Sequence, residues 1–280
     1  SMALERALSK AHLPPSQLGC ILGGDLLNQC IGTTFALRPT NVPFLGLYGA
    51  CSTMAEGLLV ASCLVESGFE QTACAITSSH FCSAERQYRY PLEYGGQRPQ
   101  TAQWTATASG AVVLQKGGMG VRITHATPGR IADPGVTSQA NMGAAMALSA
   151  YETIRRFFQD THTGPSHYDL IVTGDLGKVG HQIVIDLFQR DGIDMRPTYD
   201  DCGLLLYDGS QDVHAGGSGC GCSAAVLCSY ILKAMEQGIF RKVLFCGTGA
   251  LLSPTSCNQG QSIPGICHLV CLEADEKWNM

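Results

Sequence analysis

The chain carries two copies of one pattern. Tyr48-Gly-Ala-Cys51-Ser52 leads through Glu66-Ser-Gly68 to Ala75-Ile-Thr77-Ser-Ser-His80, and Gly219-Cys-Gly-Cys222-Ser223 leads through Glu236-Gln-Gly238 to Cys246-Gly-Thr248-Gly-Ala250. Cys51 to Thr77 and Cys222 to Thr248 are both 26 positions apart. Upstream of each copy an apolar run ends in Gly-Asp-Leu, at Gly24-Asp25-Leu26 and at Gly174-Asp175-Leu176. A period of about 150 residues is far longer than a solenoid unit. It implies two fused, related halves, and the differences between them carry the functional information.

Of 280 residues, 45% are hydrophobic and only 15% charged, which suits one large globule with deeply buried elements. The net charge of −5 and pI near 5.9 argue against a nucleic-acid partner, which calls for a basic face. No apolar stretch approaches the roughly 18 residues of a spanning helix. The best, Leu58 to Val65, is flanked by Glu56 and Glu66. No secretory leader is read in the sequence, so membrane association is expected only through a partner or a segment outside this sequence. The 14 cysteines sit mostly in apolar runs and include no C-x-x-C pair. They read as reduced, buried thiols, with neither a metal nor a cofactor expected. Ser1-Met2 resembles an expression scar. The second half opens with a strand-like run, Val121–His125, that the first half lacks, so an additional N-terminal strand is expected in the natural protein.

Strand-like runs alternate with helical stretches. They fall at Gly19–Gly23, Phe44–Tyr48, Ala73–Thr77, Ala111–Gln115, Leu170–Thr173, Gly203–Tyr207, Val243–Gly247 and Cys267–Glu273, which favours an α/β fold. Helices are expected at Ala3–His12 and near Ala147–Phe158. Thr53–Glu66 and Ala224–Met235 are apolar almost all round, so both helices must be buried on most sides. The expected architecture is layered α-β-α-β-α, with halves 1–117 and 118–280 forming one unit. The connection Ser78–Ser109 exceeds the about 12–15 residues of an ordinary loop. Its run from Glu85 to Pro99 holds Arg86, Arg89 and Arg98 with Tyr88, Tyr90 and Tyr94. Arginine forks suit anion recognition; a surface loop pinned by its tyrosines is the plainer alternative.

Cys51 falls between a strand and the entrance of a buried helix, where backbone N–H groups favour a thiolate or a bound anion. A nucleophile, an anion pocket and a small apolar filler all remain open, because Cys222 occupies the matching position of the other half.

Two such halves resemble the thiolase fold of thiolases and ketoacyl-synthase-type condensing enzymes. Within that fold, Gly-Asp-Leu-Leu-Asn-Gln, Phe-Leu-Gly-Leu-Tyr-Gly-Ala-Cys-Ser-Thr, Ala-Glu-Arg-Gln-Tyr-Arg-Tyr-Pro-Leu-Glu-Tyr, Asp-Asp-Cys-Gly-Leu-Leu and Gly-Ala-Leu-Leu-Ser-Pro-Thr resemble the stage V sporulation protein AD family of spore-forming Firmicutes. The resemblance implies binding of dipicolinate and its uptake, as the calcium chelate, into the developing spore. It also implies association with other SpoVA proteins at the spore inner membrane, and a homodimer.

By the same resemblance, condensing enzymes of the ketoacyl-synthase-III-like branch pair the cysteine with a His after the first strand of the second half and an Asn at its strand–helix turn. Here Gly174-Asp175 and Gly221 stand in those places, with His181 and His268 as possible substitutes. The reading that follows is a non-catalytic binder whose ligand contacts are expected among Cys51, His80, Arg86, Tyr88, Arg89 and His268. The alternative is a cysteine-dependent acyltransferase or condensing enzyme of the ketoacyl-synthase III type using Cys51 with His80 or His268.

Overall fold

The structure is a computed structural model that describes residues 2–88 and 97–275. In the first half the order is α1 (Met2–Lys10), β1 (Cys20–Gly24), α2 (Ile31–Leu37), β2 (Phe44–Gly46), α3 (Thr53–Glu66), β3 (Thr72–Ser79), α4 (Phe81–Tyr88), β4 (Trp104–Thr105) and β5 (Ala108–Gln115). The second half repeats it. After β6 (Val121–Thr127) come α5 (Met142–Thr161), β7 (Leu170–Thr173), α6 (Gly177–Arg190), β8 (Tyr199–Asp201), α7 (Cys202–Leu205) and β9 (Gly217–Ser218). Then α8 (Cys220–Val226) continues through a π turn into α9 (Leu232–Glu236), followed by β10 (Lys242–Ala250), α10 (Pro254–Asn258) and β11 (Gly265–Ala274).

The two main sheets share a topology. One runs β2-β1-β3-β5 and the other β8-β7-β10-β11-β6; the pairings among β2, β1 and β3 and among β8, β7 and β10 are parallel, and those from β3 to β5 and from β10 through β11 to β6 are antiparallel. The short pair β4–β9 ties the halves together.

Period-2 alternation sorts the strand residues onto two apolar faces. On β10, Val243 and Phe245 face the central helices while Leu244 and Cys246 face the outer cluster with α5 and α6. On β3, Ala75 faces inward and Cys74 and Ile76 face α1. Strands covered on both faces read as continuous apolar runs, which is what the sequence shows. Met54, Ala55 and Leu58 of α3 share a cluster with Val226, Leu227, Ile231 and Met235 of the α8–α9 helix. Both buried helices therefore lie between the sheets, and the layered α-β-α-β-α architecture of the thiolase fold is the one observed. No helix among the described residues is long and apolar enough to cross a membrane.

One expected strand is a helix. Gly203–Tyr207 begins as α7 because the Asp201 carboxylate accepts from Gly203 N at 2.9 Å and caps the turn, and the strand sits just upstream as β8. The long connection Ser78–Ser109 also carries elements of its own, α4 and β4.

Candidate functional site

The strand ends of β1, β3 and β7 and the entrances of α3 and α8 meet at one end of the molecule. Before α3 the backbone makes a tight turn: Ala50 takes φ 52°, a left-handed conformation that L residues rarely adopt, and Cys51 follows in a 3₁₀ turn. Ser52 and Thr53 donate their hydroxyls to Gly49 O and Ala50 O at 2.6 and 2.7 Å, locking that turn. Cys51 is buried among Leu26, Ala84 and Cys220, with Tyr88 packed against the group.

The Cys51 thiol hydrogen-bonds to the Asp175 carboxylate. Asp175 is fully buried and accepts Gly219 N at 2.8 Å, Ser218 Oγ at 3.2 Å and Thr248 Oγ1 at 2.9 Å. Burial pushes its pKa up to about 6 against the opposing pull of the Gly219 and Cys51 hydrogen bonds. The pseudo-equivalent Asp25 is likewise enclosed, accepting Thr33 N, Thr33 Oγ1 and Leu27 N at 2.6, 2.7 and 2.9 Å.

The Gly221 position has no room for its usual group: a Cβ there would stand 2.4 Å from Ala108 O and from Ser79 Oγ, whereas one on Gly174 would only crowd Thr248 N at 3.0 Å. Gly221 N instead donates to Ser79 Oγ at 3.1 Å. His181 stacks on Tyr199, ring centroids 4.5 Å apart. His268 accepts Gly129 N on Nδ1 at 3.2 Å, and burial lowers its pKa, which favours a neutral ring. It shares the β11 face that carries Val270 and Leu272 toward the central helices.

A cleft of about 380 Å³ opens next to this buried pair. Asp25, Ser78, Ser79, His80, Ser83 and Thr107 supply its polar lining, and Leu26 and Ala84 its apolar part. Leu26 and Ala84 also pack against Cys51, which is not itself part of the cleft lining. His80 and Ser83 continue into a shallower hollow with Arg86 and Gln87. Tyr88 turns inward: its hydroxyl donates to Leu26 O at 2.5 Å and pairs with Tyr48 at 2.8 Å, and burial raises its pKa.

Of the sequence-predicted residues, His80 lines both the cleft and the adjoining hollow and Arg86 the hollow, while Cys51 and Tyr88 pack against Leu26 and Ala84 of the cleft lining. His268 sits on the second sheet, and Arg89, like Tyr90, lies outside the described residues. Asp25, Ser83 and Thr107 were not foreseen; the repeated Gly-Asp-Leu was the available signal for Asp25. Arg98 does not face the cleft. It reaches the fully buried Glu85 at 2.6 Å and lies 4.4 Å over the Trp104 ring, fastening the segment after α4 to the core.

Fold and site define a thiolase-type protein in which a cysteine at the helix entrance faces a carboxylate. Two solved structures share the architecture at low identity, which carries the fold alone. The 3-oxoacyl-[acyl-carrier-protein] synthase III of Aquifex aeolicus VF5 matches with TM-score 0.58, 15% identity, 96% of this chain and 81% of that chain. A variant of OleA from Xanthomonas campestris, bound with cerulenin, matches with TM-score 0.64, 14% identity, 97% of this chain and 78% of that chain. Stage V sporulation protein AD of Bacillus subtilis (strain 168) is 48% identical over 271 residues, spanning 97% of this chain and 80% of that protein. The profile of that family matches residues 1–273, and the chain belongs to the stage V sporulation protein AD family.

Proposed function

We propose that this sporulation protein binds dipicolinate, carried as its calcium chelate, in the cleft beside His80, and serves its uptake into the spore without acyl-transfer chemistry. The observation that supports this most is the setting of the thiol. The cysteine of the condensing-enzyme pattern is buried with Leu26 and Ala84, is no part of the cleft lining, and is hydrogen-bonded to Asp175. Negative charge on Asp175 opposes charge developing on sulfur or on an acyl oxygen beside it, the reverse of an oxyanion hole. The cleft falls in the ordinary size range of small-molecule sites. Its histidine and hydroxyls suit a planar dicarboxylate, and Arg86 at the adjoining hollow suits a carboxylate fork. Asp25 in the same lining disfavours a bare dianion. The calcium of the chelate offsets that charge and takes oxygen donors of this kind.

By family membership the proposal extends to action with other SpoVA proteins at the spore inner membrane, peripherally, and as a homodimer. Isothermal titration of dipicolinate, with and without calcium, tests the binding role. Saturable binding that weakens in His80→Ala and Arg86→Ala supports it. No heat from a well-folded protein, or a mass increase at Cys51 after incubation with acyl-CoA, would reverse it in favour of an acyltransferase.

A further inference from the structure

Away from the cleft, on the outer face of the second sheet, three side chains of different chemistry converge. Cys271 and Glu273 alternate on β11 and so point to one face. His125 on the edge strand β6 is the cross-strand partner of Cys271. The register shifts between Cys271 and Leu272, which pair with His125 and Ile123, so Thr124 is the extra residue of a bulge. Bulges re-aim side chains at sheet edges. Here the Thr124 hydroxyl donates to Glu273 Oε1 at 2.9 Å and lies 3.1 Å from His125 Nδ1, drawing imidazole and carboxylate together. Phe157 meets the imidazole edge-on with centroids 6.0 Å apart and holds its orientation.

One ligand atom each from His125, Cys271 and Glu273 all lie within 4.8 Å of one another, and Cys271 Sγ is 3.9 Å from Glu273 Oε1. Ligand bonds of about 2.0–2.3 Å around a tetrahedral zinc ion bring such atoms to roughly 3.3–3.6 Å of each other. Small side-chain rotations cover that difference. We propose that His125, Cys271 and Glu273 form a zinc site that clips the edge strand β6 to β11, with water as the fourth ligand on the exposed side.

The donor set selects the ion. Sulfur and imidazole nitrogen suit zinc or cobalt(II), whereas magnesium and calcium take oxygen. Lys242, 3.5 Å from Glu273 Oε1 and half exposed, is the charge the ion displaces, and its long stem lets it swing into water. Binding exchanges the Cys271 proton for the metal and releases it to solvent. The Thr124 hydroxyl then acts from outside the ligand set, orienting Glu273.

The test is metal loading of reduced, chelator-treated protein with zinc, read as bound equivalents. A parallel titration with cobalt(II) is read by its thiolate charge-transfer absorption. The wild type is expected to take up one tight equivalent and to show that band. His125→Ala and Glu273→Gln, at exposed and half-buried positions, are expected to weaken binding at least tenfold, and Cys271→Ser to abolish the band. Should buried Cys271→Ser misfold, His125→Ala decides alone. No tight equivalent in the wild type, or one retained at unchanged affinity in His125→Ala because other cysteines hold it, overturns the proposal.

Discussion

The Cys51 thiol donates to Asp175, a carboxylate that the fold buries completely and that comes from the opposite half of the chain. The resemblance to condensing enzymes places a histidine near this point; here a carboxylate held by Gly219, Ser218 and Thr248 faces the sulfur instead. The arrangement sets like charge against the chemistry of a cysteine nucleophile.

Asp175 gives stability a pH signature. Its folded-state pKa is raised from 3.8 to about 6, so its contribution is fully present below pH 4 and is lost as pH rises through about 6. The shift corresponds to an upper bound on the order of 3 kcal/mol. Denaturant unfolding of wild type and Asp175→Asn at pH 4.5 and 7.5 should show the wild type losing on the order of 1–3 kcal/mol relative to the variant. A pH-independent difference would contradict the assignment.

Restoring the condensing-enzyme asparagine should fail sterically. A Cβ at Gly221 collides with Ala108 O and Ser79 Oγ, both belonging to the packed first half, so Gly221→Asn should cost about 3 kcal/mol or more. Gly209→Asn, where the added atom meets nothing within 4 Å, serves as the control and should stay within about 0.5 kcal/mol. Thermal unfolding of the two variants reads the contrast.

The Glu85–Arg98 pair should behave as a buried ion pair. Glu85 is fully enclosed and Arg98 is 18% exposed, so Arg98→Ala takes a cation from beside a buried carboxylate and should cost about 3 kcal/mol. Adding Glu85→Gln removes that charge and should recover part of the loss, because Thr105 can still donate to the amide oxygen. A double-mutant cycle by chemical denaturation measures the coupling, and strictly additive losses would argue against it.

Much of the fold was legible because apolar patterning and the internal repeat act over short distances. The all-round apolar stretches at Met54–Val65 and Ala225–Met235 could only be buried helices, and the matched Gly-Asp-Leu runs aligned the halves. Gly203–Tyr207 misled because Leu204, Leu205 and Leu206 read as a strand core, while the deciding contact is local: the Asp201 carboxylate caps the turn at Gly203. The strand itself, Tyr199–Asp201, is too short and polar to stand out. Asp175 was visible as a departure from an enzyme pattern, but its bond to Cys51 joins residues far apart in sequence. The cleft was less legible still. His80 and Arg86 stand out in the sequence, but Asp25, Ser83 and Thr107, which line the cleft with His80, come from separate elements that only the sheet topology assembles.

The central claim is that the ligand occupies the cleft beside His80 while the Cys51 thiol takes no part in acyl transfer. A crystal structure of the protein with calcium and dipicolinate tests it most directly. The account predicts the pyridine dicarboxylate in the cleft, against His80 and Ser83, with Cys51 unmodified and still bonded to Asp175. Ligand seated on Cys51, or a thioester on its sulfur after acyl-CoA is supplied, would contradict it.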